Sequence, residues 1–134
     1  MDISSFDDLL AAARAQAEPQ RLLFVFAQAG IDDDSSAAQR ARFEAGEGGT
    51  LTPVMMADKA PDELADFAAL LRESEQFGKP WSVLFVAALS GRDGAAAPDA
   101  DVDRAFDRMT DAIRLGRLSG FLAFDRAGDP LILT

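Results

Sequence analysis

Two stretches of this chain, residues 21–29 and 81–89, are apolar on both faces of an extended strand. In the first, Leu22, Phe24 and Phe26 alternate with Leu23, Val25 and Ala27. A strand has a side-chain period of two, so both sets are buried only if each side of its sheet is covered. The chain therefore predicts internal strands with helices packed on the sheet.

The remaining periodicity supplies those helices. Residues 5–17 read as a helix, with Phe6, Leu9, Leu10, Ala13 and Ala17 at helical spacing. Ser5 with Asp8 resembles a capping box, and Pro19 stops the helix. Residues 50–58 read as a strand in which Pro53 marks a start or an edge. Residues 61–77 read as the clearest helix: Pro61 opens it, Asp62 and Glu63 suit its first turn, and Leu64, Phe67, Ala68 and Leu71 form its stripe. Gly78-Lys79-Pro80 ends it. Residues 99–117 form the last helix, with Val102, Phe106, Met109 and Ile113 inward. Residues 121–125 and 131–134 read as short strands around a hairpin turn at Arg126-Ala127-Gly128-Asp129. Between residues 30 and 49 two readings stand. Asp32-Asp33-Asp34-Ser35 caps a short helix over 36–45, with a turn at Gly46-Glu47-Gly48-Gly49, or the segment is a mobile surface loop.

The helical crossovers predict parallel pairing among the second, third and fourth strands. The expected fold class is α/β, bordering on α+β. It is a mixed, mainly parallel sheet of about five strands, flanked by three or four helices and ending in a β-hairpin. A length of 134 residues suits one domain over 1–134.

Composition narrows the chemistry. There is no Cys, His or Tyr. Disulfides, thiolate catalysis, iron–sulfur clusters, Cys-based zinc sites and a Ser-His-Asp triad are excluded. Any catalysis would run on Asp, Glu, Lys, Arg, Ser or Thr. The formal net charge is −10, and lysine occurs only at Lys59 and Lys79. Without a basic stripe, neither nucleic acid nor an anionic membrane surface is an expected partner. The first residues show no signal-peptide pattern, and the longest apolar run, 83–89, is far shorter than a membrane span. A soluble, cytoplasmic protein is the expectation. The Ala-rich, Arg-over-Lys usage is associated with GC-rich bacterial genomes.

Few motifs carry chemistry. Asp99-x-Asp101-x-Asp103 opens like a calcium loop, but Arg104 and Thr110 stand where that loop needs Gly and Glu. The acids are expected to cap a helix instead. Asp32-Asp33-Asp34 reads as a solvated loop, and the glycines at 46, 48 and 49 as a turn rather than a phosphate cradle. Phe77 and Trp81 bracket Gly78-Lys79-Pro80, as a contact patch for a partner or as the closing of the core. Ligand-binding candidates come from the strand ends: Lys59, Arg92 and Arg126, with Asp58 and Ser90. In a parallel sheet these would gather at one rim and could hold a small anion. A Ser-Lys dyad of Ser90 with Lys59 or Lys79 is formally allowed, with no motif behind it. No catalytic, metal or cofactor-binding residues are assigned, and no cofactor is expected.

Three stretches carry a resemblance. They are Arg21-Leu22-Leu23-Phe24-Val25-Phe26-Ala27-Gln28, Gly48-Gly49-Thr50-Leu51-Thr52-Pro53-Val54-Met55-Met56-Ala57-Asp58-Lys59 and Gly120-Phe121-Leu122-Ala123-Phe124-Asp125-Arg126. They resemble a family of small bacterial proteins often labelled "ribonucleotide reductase subunit alpha". Such a reductase needs a radical cysteine and a redox cysteine pair, which this chain lacks, so the resemblance implies no activity. Gly48-Gly49, Leu51-Thr52-Pro53-Val54 and Asp125-Arg126-Ala127-Gly128-Asp129-Pro130 also resemble, more loosely, the SseB-type domain, with Met55 at a position usually aromatic. That likeness implies an interaction or regulatory module without catalytic residues.

The expected function is thus a non-catalytic interaction or regulatory module with a protein partner, a homodimer being one arrangement. The alternative is a small anionic-ligand-binding domain using the strand-end loops. An enzyme with carboxylate or lysine chemistry ranks third.

Overall fold

The computed structural model describes residues 4–30, 50–118 and 121–131. Helix α1 (Phe6–Arg14) precedes strands β1 (Gln20–Gly30) and β2 (Thr50–Lys59). A 3-10 turn (Pro61–Glu63) and helix α2 (Phe67–Glu75) lead to β3 (Val83–Ser90). Helix α3 (Asp99–Arg114) and the short strands β4 (Leu122–Phe124) and β5 (Pro130–Leu131) follow. The expected helix over 36–45, the turn at 46–49 and the strand positions beyond 131 lie outside the described residues.

The strands form one five-stranded sheet in the order β2-β1-β3-β4-β5, and every neighbouring pair is antiparallel. This overturns the expected mainly parallel sheet. β2 and β3 do run the same way and are joined through α2, but β1 lies between them and pairs with both. A helix between two strands makes them neither neighbours nor, as the next pair shows, parallel. The second crossover, through α3, returns the chain so that β4 runs against β3.

The demand made by the doubly apolar strands is met. Leu22, Phe24 and Phe26 of β1 and Leu84 and Val86 of β3 pack under α1 and α2, with Phe6, Leu10, Phe67 and Phe124. Leu23, Val25, Phe85 and Ala123 face the other way, onto Val102, Ala105, Met109 and Ile113 of α3. The result is three layers, with helices on both faces of an antiparallel sheet. Among the described residues no helix is long and apolar enough to cross a membrane.

Local chemistry sets the helix ends. Ser5 caps α1, its hydroxyl accepting from the Asp8 amide at 3.2 Å. The Asp8 carboxylate accepts from the Ser4 hydroxyl at 2.6 Å and the Ser4 amide at 3.0 Å, with a weaker interaction with Ser5. Those Ser4 contacts hold its pKa below the ordinary carboxylate value. Of the expected inward set on α1, Ala17 lies past the helix and is exposed. The helix expected over 61–77 is two pieces. Leu64 is extended and buried, and Asp66 starts α2 afresh by accepting from the Ala69 amide at 2.9 Å. Tertiary partners stabilise this break: Arg14 donates to the Leu64 carbonyl, and Asp7 accepts from the Phe67 amide at 2.8 Å. Buried Leu70 replaces exposed Ala68 in the stripe. In α3 the acids occupy the first turn rather than the cap, which is Pro98.

The hairpin turn between β4 and β5 forms as expected. The Asp125 carboxylate accepts from the amides of Ala127 at 2.9 Å and Asp129 at 3.0 Å. Gly128, at φ +84°, lies against the Phe67 ring, and its carbonyl accepts from the Phe6 amide at 2.9 Å. The turn thereby docks the start of α1.

Candidate functional site

The antiparallel order separates the strand-end candidates. β2 and β3 finish at the end of the sheet where β1 begins, so Asp58, Lys59, Ser90 and Arg92 lie at that end. β4 runs the opposite way, which places Arg126 at the other end. The rim of three cations expected from parallel strands is therefore not assembled.

At the first end, Arg21 organises the side chains. Its guanidinium donates to Asp58 Oδ2 at 2.5 and 3.1 Å, to Asp99 Oδ1 at 2.7 Å and to the Ala97 carbonyl at 2.9 Å. Asp58 and then Asp99 hold the Arg21 cation still more firmly protonated than a free guanidinium. This cluster ties β1 and β2 to the start of α3 and leaves Asp58 engaged. Lys59 reaches Glu73 at 3.1 Å, and the Ser90 hydroxyl accepts from Gln20 at 3.1 Å. Among the described residues only the exposed Arg92 has no side-chain partner in this group. Arg21→Ala should cost about 1–2 kcal/mol, after allowance for solvent screening of a half-exposed network. Urea denaturation measures it, and an unchanged midpoint would show that the network is decorative.

At the opposite end, Phe77 and Trp81 part company. Trp81 is buried: its ring meets Phe26 at 5.1 Å, and its indole N–H donates to the buried Ser74 hydroxyl at 2.9 Å. Arg126 lies over the indole, 4.6 Å from its ring centroid, and pairs with Glu75 at 2.8 Å. Phe77, past the end of α2, is 71% exposed. Gly78, at φ +66°, turns the chain there.

Phe77 borders a groove of about 500 Å³ between the last turn of α2 and strand β2. Its walls include Val54, Met55 and Phe77, with Lys59 and Lys79 also lining it. β2 is the outermost strand of the sheet, and among the described residues no strand pairs with its outer side. The register slips beside Pro53, where Val54 has no partner; residues 55–59 then pair regularly with residues 22–26. In this stretch Met55 and Ala57 pack with the core under α1 and α2. Alternation turns Met56 to the α3 side, where it is 55% exposed. The outer edge of β2 thus has an exposed apolar side chain beside each face: Phe77 on one, Met56 on the other.

No family model, curated protein or solved structure matches this chain.

Chemically, the site offers unpaired strand backbone, polarizable methionines and an exposed aromatic, which suits binding. Among the described residues no cluster of carboxylates is placed to hold a metal ion. The signals for this site were already in the sequence: Pro53 as an edge marker, the Met55-Met56 pair and Phe77 beside Gly78. They became a site only once β2 was placed at the edge.

Proposed function

We propose that this chain is a protein-binding module whose outer β2 edge receives an extended segment of a partner protein. The observation that carries this reading is the coincidence of a long edge strand with Met56 and Phe77, two large apolar side chains left exposed on either side of it. An added strand gains main-chain hydrogen bonds along residues 55–59, and its alternating side chains fall on the two faces. One row enters the groove beside Phe77; the other lies against Met56. The looser SseB-type pattern in the sequence points the same way, and the lack of Cys, His and Tyr leaves little for catalysis.

A random seven-residue peptide library, panned against the purified chain, tests the reading. Synthetic copies of the enriched peptides should shift the amide resonances of residues 54–59 and of Phe77. Phe77→Asp should weaken them about tenfold or more, as loss of a central aromatic contact does. A library that yields no binder, or binders whose shifts centre elsewhere, would overturn the proposal.

A further inference from the structure

The chain has 23 acidic residues and only two lysines, and both lysines line the β2 groove. They stand at its two ends. Lys59 closes β2 at the end where β1 begins. Lys79 lies where the groove meets a shallow depression lined by Gln28, Trp81 and Arg126. Along β2, residues 54–59 span about 17 Å at the usual strand rise. The two ends are not equivalent. Lys59 is already neutralised by Glu73 at 3.1 Å, and its side chain is largely covered. Lys79 is exposed, and among the described residues no carboxylate pairs with it. Arg126, nearby, is taken by Glu75 and the Trp81 ring. The groove therefore sets two cations against one carboxylate on a molecule of net charge −10.

We infer that the segment received at β2 carries a carboxylate side chain at the end that meets Lys79, next to its apolar residues. This rests on the reading of β2 as a docking edge and adds the partner's charge. The long-range field of an acidic chain repels an acidic peptide, but screening confines that repulsion to about 8 Å at physiological salt. At contact, the nearest unpaired charge decides. A second copy of this chain is the less fitting occupant, because it would bring another net charge of −10 against the first.

The test pans one seven-residue library against the wild-type chain and against Lys79→Glu, a substitution at an exposed position whose fold circular dichroism checks. Wild-type binders should be enriched in Asp or Glu at one end. Replacing that acid by Lys in a synthetic binder should weaken it about five- to tenfold at physiological salt, where the field of the whole chain is screened, and Lys79→Glu should reverse the preference. Binders that shift the β2 amides with no acidic enrichment, or with an enrichment that survives Lys79→Glu, would overturn this inference and leave the docking edge standing. A library without β2 binders would overturn both. Sedimentation showing that the chain pairs with itself through β2 would replace the acidic segment with a second copy.

Discussion

Phe6→Ala should lower the stability of this chain by about 3–5 kcal/mol, the largest loss expected from any single truncation discussed. Phe6 is fully buried at the start of α1. Its ring sits 5.2 Å from that of Phe67, 5.5 Å from Phe124 and 5.9 Å from Phe24. Those partners come from α2, β4 and β1, so one side chain joins a helix, an inner strand and the last hairpin. Removing it forfeits the transfer of an aromatic ring from water and leaves a void between rigid neighbours. Its amide also docks on the Gly128 carbonyl, which holds the backbone in place and limits collapse of the void. Urea unfolding followed by Trp81 fluorescence reads the loss. A change below about 1 kcal/mol would mean that α1 is not anchored as the structure has it.

The second large effect involves no core side chain. A β-carbon on Gly91 would lie 2.1 Å from the Ala95 carbonyl oxygen and 2.9 Å from that of Pro19. Both obstacles are backbone, so a side-chain rotation cannot relieve them. The Gly91 amide donates to Pro19 at 2.7 Å, and Arg92 and Ala95 bridge one another just beyond. Gly91→Ala must push this turn away from the start of β1, losing that hydrogen bond and disturbing the Arg21 cluster beside it. The expected cost is about 1–3 kcal/mol from overpacking, with a further ~1 kcal/mol for the broken bond. Hydrogen exchange should show the Gly91 and Arg92 amides opening first. A variant as stable as the parent, with those amides still protected, would refute the close approach.

What could be read from the residues and what could not divides by range. The two faces of β1, Leu22/Phe24/Phe26 and Leu23/Val25/Ala27, were legible because strand alternation is local and strict. So was the turn at Asp125, where Asx chemistry and Gly128 act within a few residues. Strand order was not legible. The insertion of β1 between β2 and β3 depends on pairings such as Leu22 with both Lys59 and Ala88, and no local pattern encodes those. The break at Leu64 was hidden for the same reason: the local sequence favours a helix, and Arg14 and Asp7 favour the break from far along the chain. At the candidate site, Phe77 and Trp81 looked equivalent. The Ser74 hydroxyl, which gives the indole N–H a partner in the interior, buries one and leaves the other outside.

The inner position of β1 has a consequence for the chain as it is made. Its partner in β3 is distant, Gln20 lying 70 residues from Ser90. At about 5–20 residues per second, the ribosome needs roughly 4–14 s to deliver that partner. Throughout that interval a segment apolar on both sides waits without the strand that closes its second edge and without α3, which covers its Leu23 and Val25 face. Non-local pairing of this kind also slows the closing step itself. The newborn chain is thus at its most adhesive midway through synthesis, and a holdase acting on this protein would meet β1 first.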